Sequence, residues 1–336
     1  LSSNQTLTRT SSSWTHESIV IDLPSTVKAS REARTPSDMS KIPLPRPIKA
    51  PLVAAWNEAH RVGRLAGDYA SAIAKNRREL CSVCGEKRLM LYRRRVIPPR
   101  LVELWGLSAR QAEALARKES CDCSGCGAKL RARRLASALL DLYPAAGGRA
   151  QDLRAWARSD EAGRLRIAEI NRIDGLHEVL RDLAHFHPSD FIPDAHRGSY
   201  VRGVRHEDLD ALSYEDERFD LVLTSETLEH VPDLGRALAE IRRVLAPGGF
   251  HLFTAPVSPH VPATFPRARL RSDGSVEELA TPIRHPGGDV GYPVFTELGT
   301  DFPDILRDAG FEAEVRFGPV SDDDLAQVYI CRKPTD

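Results

Sequence analysis

The sequence predicts an α/β chain in which an open, mostly parallel sheet follows a small cysteine-rich module. Three observations predict it. Leu221-Val-Leu223 is a continuous apolar run, as a strand buried on both faces requires. Downstream, Glu240-Ile-Arg-Arg-Val-Leu-Ala-Pro-Gly-Gly249 reads as a helix that Pro247, Gly248 and Gly249 stop, turning the chain into an apolar strand at Phe250-His-Leu-Phe253. Upstream, five of the six cysteines fall between positions 81 and 126, as two Cys-x-x-Cys pairs and one extra thiol.

The bulk properties bound the reading. A chain of 336 residues accommodates one large domain and a smaller one. With 41% hydrophobic and 28% charged residues it has the composition of a globular protein. It has no apolar run long enough for a transmembrane helix and no secretory leader pattern, so a cytoplasmic location without membrane contact is expected. The net charge is zero but unevenly placed: residues 76–135 hold fifteen Arg and Lys against six Asp and Glu, and residues 205–240 hold eleven acids against three Arg.

Residues 1–50 are rich in Ser, Thr, Pro and Arg and read as disordered or non-native, with Met39 as the first native residue. Residues 51–145 form a helical, cysteine-bearing module. Helix is expected near 52–74, then after the capping box Ser108-Ala-Arg-Gln111, and over the amphipathic stretch 129–143, which Pro144 and Gly147-Gly148 end. A short helix at 152–159 leads into the main domain, 146–336. Strands are expected at 166–170, 185–190, 221–224, 250–254, 313–317 and 327–331, with helices at 175–183 and 301–310 and an extended stretch at 200–204.

The segment Phe219-Asp-Leu-Val-Leu-Thr-Ser-Glu-Thr-Leu-Glu-His-Val231, with the Arg-Val-Leu-x-Pro-Gly-Gly turn, resembles the class I S-adenosylmethionine-dependent methyltransferases across roughly half the chain, about 160–320. The resemblance implies a Rossmann-like sheet with the cofactor at the carboxyl ends of its first strands. The family's Glu-x-Gly-x-Gly-x-Gly loop corresponds to Glu169-Ile-Asn-Arg-Ile-Asp-Gly175. Asn171 and Ile173 stand where glycines are usual, and Asn tolerates the left-handed backbone better than Ile. Asp190, 21 residues after Glu169, matches the ribose-binding acid. Asp208, followed by Leu209 and then Leu212-Ser-Tyr214, matches the acid that contacts the adenine amine. Ser225 and Glu226 border the methionine end and the acceptor.

Glu226-x-x-Glu229-His230 carries three readings. The acids cap a helix and the histidine packs; or His230, supported by Glu229, takes a proton from the acceptor as general base; or the run supplies carboxylate and imidazole to a metal ion, with His260 or His285 as further ligands. The long Gly/Pro loop at 283–293 reads as an acceptor-binding loop, which makes His260, His285, Asp289 and Tyr292 substrate candidates.

Cys81-Ser-Val-Cys84-Gly85 and Cys123-Ser-Gly-Cys126-Gly127 have knuckle spacing. Each supplies two thiolates to a tetrahedral ion, and the pairs predict structural zinc. The basic surplus around them reads either as an RNA-binding face or as a surface docked on the acidic 205–240 segment; the latter is preferred because few aromatics are present to stack bases. The resulting expectation is a methyltransferase acting on oxygen or nitrogen of a small molecule or sugar. The alternatives are an RNA methyltransferase and a non-catalytic binding protein that keeps the fold.

Overall fold

The computed structural model describes residues 58, 62–63, 65–75, 77–92, 96–285, 291–317 and 324–335. Residues up to 66 and from 67 onward are separate compact units, and the fold below belongs to the second. Its described part begins in a helix that runs to residue 74, where the predicted 52–74 helix ends.

The module pairs β1 (Arg78–Leu80), β2 (Lys87–Tyr92) and β3 (Cys121–Cys123) as an antiparallel three-stranded sheet. Between β2 and β3 lie α1 (Pro99–Leu104) and α2 (Ala109–Ser120). The α2 helix starts at the predicted box: Ser108 Oγ accepts from the Gln111 amide at 3.2 Å, and Gln111 Oε1 accepts from the Ser108 amide at 2.8 Å. Next comes α3 (Leu130–Leu142), then the short α4 (Leu153–Trp156) and α5 (Asp160–Arg164), N-capped by Asp152 and Ser159.

The main sheet takes β4 (Ile167–Ile170), β5 (Phe186–Ser189), β8 (Phe219–Ser225), β9 (Leu245–Thr254), β16 (Glu312–Arg316) and β17 (Val328–Arg332), in the order β16-β17-β9-β8-β4-β5. Strands β5, β4, β8 and β9 are parallel; β17 and β16 close the far edge antiparallel. The 200–204 stretch is a two-residue hairpin, β6 (Tyr200–Val201) and β7 (Val204–Arg205), and beyond β5 the sheet continues only as a single parallel bridge from Asp190 to His206. The helices are α6 (Leu176–Leu180), α7 (Leu234–Val244) and α8 (Phe302–Asp308). After β9 come short antiparallel pairs: β10 (Phe265–Pro266) with β15 (Thr296–Glu297), β11 (Ala268–Leu270) with β12 (Val276–Glu278), and β13 (Arg284–His285) with β14 (Tyr292–Pro293).

Strand alternation sorts the core into two layers. Leu221, Leu223, Val328 and Ile330 face a layer built by Leu135, Leu139 and Leu140 of α3 with Trp156, Leu176 and Leu180. Val222, Tyr329 and Cys331 face the layer of Leu238 and Ile241 from α7 and Phe302 and Leu306 from α8. The module therefore shares its core with the sheet, because α3 is one of the sheet's covering helices. Each of its three buried leucines contributes roughly 2 kcal/mol. The Pro-Gly-Gly turn is drawn into β9 rather than standing before it. Gly249 is required there, since a Cβ would lie 2.9 Å from the Ala246 carbonyl oxygen and 3.0 Å from that of Asp220.

Among the described residues, the basic surface makes few ion pairs with the acidic segment. Lys118 pairs with it at Glu226, whereas Lys129 meets Asp174 and Arg134 meets Asp324. The acids of 205–240 are satisfied nearer home, Glu207 by Arg205, Glu240 by Arg243 and Asp220 by Arg166.

His251, in the middle of β9, has no exposed surface; its Nε2 lies 3.0 Å from Thr224 Oγ1, and burial pushes its pKa down to about 3. An imidazole neutral in the fold but free to charge when unfolded makes the unfolded chain bind more protons between pH 6.5 and 3. Stability should therefore fall as pH drops through that window, by about 1 kcal/mol per unit from this residue. Urea unfolding across pH should show a shallower slope for His251→Phe than for the wild type.

Candidate active site and cysteine cluster

The strand order reverses between β4 and β8, the usual place for a ligand crevice beyond the carboxyl ends of parallel strands. A cleft of about 1700 Å3 opens there. Its floor is the set of strand-end loops: Asn171 and Arg172 after β4, Asp190 and Phe191 after β5, Ser225 to Thr227 after β8, with Asp208 to Asp210 alongside. One wall comes from the module, including Trp105, Leu115, Glu119 and Arg131; the other comes from the β13–β14 pair, with His285, Tyr292 and Phe295.

Two floor residues hold left-handed backbone without being glycine: Asn171 (φ 62°) and Glu226 (φ 51°). Such conformations cost on the order of 1 kcal/mol or more and cluster at ligand sites. Asn171 is tied down by accepting at Oδ1 from the Phe191 amide at 3.0 Å. Glu226 is held by Lys118, a lysine of α2 with no exposed surface, whose Nζ donates to Glu226 Oε2 at 2.8 Å and to the Ala255 carbonyl at 3.2 Å. Glu119 lies 3.9 Å from the same Nζ and pairs with Arg131. Nothing local in the sequence singles out Lys118; its partner is 108 residues away.

The predicted cofactor residues divide. Asn171, Asp190, Asp208, Leu209, Ser225 and Glu226 all line the cleft. The Asp190 carboxylate also accepts from the Arg172 amide at 2.9 Å, and the Asp208 carboxylate from the Asp210 amide at 3.1 Å. Next to Asp208, burial first and then that neighbouring charge push the Asp210 carboxyl up to about 6. Glu169 and Gly175 lie behind the floor. Glu169 is fully buried, bonded to the Ile173 amide at 3.1 Å and to His177 Nδ1 at 2.6 Å, so it shapes the loop from inside. Ile173 packs in the core shared with the module. Gly175 (φ 80°) seats the loop on the cysteine knuckle, since a Cβ there would fall 2.6 Å from the Ala128 Cβ. Two buried carboxylate oxygens in the cleft residues, Glu226 Oε1 and Asp210 Oδ1, lack a hydrogen-bond partner among the described residues.

Of the acceptor-side candidates, His285 and Tyr292 come to His230. His285 Nδ1 is 3.0 Å from His230 Nε2, and the Tyr292 ring is 6.1 Å from the His230 ring. His230 Nδ1 is 2.7 Å from the Pro293 carbonyl, which can only accept, so Nδ1 carries a proton and Nε2 faces the cluster. Glu229 is buried beside them. Burial raises its carboxyl, but the charges of His230 and His285 outweigh that and hold it below the usual range. His285 is correspondingly raised by Glu229 against the downward pull of burial. His260 is elsewhere, exposed, with Nε2 2.9 Å from Gln111 Oε1. Asp289 lies outside the described residues.

Cys81, Cys84, Cys123 and Cys126 converge, all four sulfurs within 4.8 Å. The Cys81–Cys126 and Cys84–Cys123 separations are 3.7 and 3.9 Å. A tetrahedral ion with bonds of about 2.3 Å spaces its thiolates about 3.8 Å apart, so the cluster has the dimensions of a zinc site. The two knuckles repeat one geometry: the Gly85 and Gly127 amides donate back to Cys81 and Cys123 at 2.8 and 2.9 Å, with φ of 75° and 73°. Cys121 stays apart, 3.7 Å from Arg133 Nη2.

Comparison with known proteins finds a family match over about a third of the chain. Residues 147–253 match the family model described as a methyltransferase domain. With the sheet order above, this makes the fold the Rossmann-like α/β fold of methyltransferases. Phthiotriol/phenolphthiotriol dimycocerosates methyltransferase 1 of Mycobacterium ulcerans is 47% identical over 55 residues, a match spanning 16% of this chain and only 19% of that relative. Among solved structures, an S-adenosylmethionine-dependent methyltransferase from Mesorhizobium loti is similar at 21% identity and a TM-score of 0.35, over 54% of this chain and 95% of its own. The Burkholderia thailandensis 1,6-didemethyltoxoflavin-N1-methyltransferase, solved with S-adenosylhomocysteine, is similar at 16% identity and a TM-score of 0.37, over 75% and 97%.

Removing Lys118 would leave Glu226 as a partly buried, unpaired carboxylate. Lys118→Met should cost about 3 kcal/mol or more, read as a lowered unfolding midpoint. The double variant Lys118→Met/Glu226→Gln should recover part of that loss, and identical midpoints for the single variant and the wild type would sink the assignment.

Proposed function

We propose that the protein is an S-adenosylmethionine-dependent methyltransferase acting on oxygen or nitrogen of a small molecule or sugar, with structural zinc in the Cys81, Cys84, Cys123 and Cys126 cluster. The observation that carries the reading is a single cleft holding two different chemistries: carboxylates at the strand ends and a histidine pair on the opposite rim. Its volume of about 1700 Å3 exceeds the several hundred Å3 of an ordinary small-molecule pocket, which leaves room for a donor and an acceptor together.

The donor's chemistry fits the floor. Ribose hydroxyls, the adenine amine and the α-ammonium are all hydrogen donors, and the floor offers acceptors: Asp190 for the ribose, Asp208 for the adenine, and the unpartnered Glu226 Oε1 near the methionine end. Asn171, in the left-handed region, stands where the resemblance expects a glycine. When bound, S-adenosylmethionine supplies an electrophilic methyl on a sulfonium centre. The chain's own work is then alignment, exclusion of water and handling of one proton. Trp105, Tyr292 and Phe295 would wall the acceptor. His230, its Nδ1 proton committed to Pro293, would take the acceptor's proton at Nε2, and the buried Glu229 carboxylate would stabilise the resulting imidazolium. The zinc site supports this indirectly, since the knuckle residue Ala128 seats the Gly175 loop and α2 delivers Lys118 to Glu226.

Calorimetric titration of S-adenosylmethionine into zinc-replete protein is the direct test. Saturable binding that weakens at least tenfold in Asp208→Ala is the expected outcome; a folded, zinc-loaded protein that takes up neither donor nor its demethylated product would falsify the reading. Zinc bound by the cysteine cluster should be one ion per chain in the wild type, and total zinc should fall by one equivalent in Cys84→Ser. Chelation should lower the unfolding midpoint and donor affinity together.

A further inference from the structure

Adenosyl binding leaves one group of side chains unexplained. Glu229 and His230 sit on a 3₁₀ turn, Leu228–His230, and His285 sits on β13, paired with Tyr292 of β14. The Phe295 amide donates to the Glu229 carbonyl at 2.8 Å and so pins the two segments together. One ligand atom from each of the three residues lies within 4.8 Å of the other two.

The Glu229 carboxylate is 1% exposed, and neither of its oxygens has a hydrogen-bond partner among the described residues. His230 Nε2 and His285 Nδ1 approach Oε1 at 3.4 and 3.6 Å, too long or too poorly aimed to serve as donors. A carboxylate buried in that state costs several kcal/mol unless a cation compensates it. A proton shared between the two ring nitrogens, 3.0 Å apart, brings positive charge near Glu229 but leaves both of its oxygens without a hydrogen bond. A metal ion satisfies all three at once.

We propose that Glu229, His230 and His285 hold a divalent first-row transition-metal ion whose open positions face the acceptor half of the cleft. The geometry agrees. Ligand bonds of about 2.1 Å place neighbouring donor atoms about 3.0 Å apart at right angles and about 3.4 Å apart at the tetrahedral angle; the three separations are 3.0, 3.4 and 3.6 Å. His230 is oriented as a metal-bound imidazole is, with its distal N–H on a backbone carbonyl and its other nitrogen bare toward the cluster. A void of about 10 Å3, enough for a single small atom, touches both Glu229 and His285. His230 and His285 also line the large cleft, so the ion would be reachable by ligand. Two imidazoles with one carboxylate suit Zn2+, Co2+, Fe2+ or Ni2+ and select against Mg2+ and Ca2+, which favour all-oxygen shells. This site deepens the methyl-transfer reading. With the ion in place, the acceptor's hydroxyl or amine would bind an open position and lose its proton to solvent more readily, and His230 would be a ligand rather than the base.

The test uses the full chain with the cysteine cluster already filled by zinc, titrated with Co2+ alone. The expected result is one further Co2+ per chain, with weak visible ligand-field bands and without the intense charge-transfer absorption that thiolate ligation gives. His285→Ala, on the cleft rim, should weaken uptake at least tenfold while the protein stays folded; Glu229→Gln should do the same if it folds. Wild-type protein that takes up no Co2+ beyond the cysteine cluster, or uptake unchanged in His285→Ala, overturns the proposal. Asp208→Ala keeps the two readings apart, since it should lose the donor and retain the Co2+.

Discussion

A lysine without exposed surface, clamped between a carboxylate and a carbonyl, is the contact on which the rest of this architecture turns. Lys118 belongs to the helix that precedes Cys121, and its partner Glu226 belongs to the loop after the central parallel strand. A charge so buried is tolerated only if its partners are in place, because desolvation of either member alone exceeds any gain elsewhere in the contact. The cysteine module must therefore dock in one position. That position also brings Ala128 against Gly175, lays α3 over the sheet and sets Trp105 and Arg131 as one wall of the cleft. A slide of even one helical turn would break the ion pair and misalign three buried leucines together.

The same constraint explains how the cleft keeps its shape without the glycines such loops usually carry. At both strand ends the backbone enters the left-handed region, at Asn171 and at Glu226, and in both a side-chain bond holds it there. Glycine reaches that conformation by lacking a Cβ; these residues reach it because their polar side chains are bonded on arrival. A glycine loop adapts to its ligand. This loop is shaped beforehand, with Glu169 bonded from beneath to the Ile173 amide and to His177. Asn171 was thus readable from the sequence as a left-handed substitute, whereas the inward turn of Glu169 was not: a carboxylate at the end of a strand looks the same in sequence whether it faces the crevice or the core.

That difference runs through the whole chain. Features set by local periodicity or spacing were legible: the parallel strands, the Ser108–Gln111 box and the four thiols; Asp190 and Asp208, singled out by the resemblance, line the cleft. Features created by chain segments meeting from far apart were not. Lys118 looks like any surface lysine at the end of an amphipathic helix. His260 and His285 look equivalent in sequence, and only the β13–β14 pairing, which places His285 opposite Tyr292, separates them. The broad docking of a basic module on an acidic segment was a reasonable inference from net charge, yet charges pair with what lies within reach. Arg205, Arg243 and Arg166 were nearer to those acids than the module was.

Within the cleft, the two ends are electrostatically unlike, and this division has a physical origin. The floor acids sit at strand ends beside solvent, where Asp190 and Asp208 accept backbone amides and remain available to hydrogen donors. The rim acid, Glu229, is sealed beneath two imidazoles, so its charge is balanced by nitrogen rather than by water. A ligand rich in hydroxyls and amines is favoured at the floor. At the rim the favoured guest is a small cation that can bond three donors at once. One cavity can therefore order two reactants without a separate subdomain for each, because the difference between its ends lies in which groups the fold leaves unsatisfied.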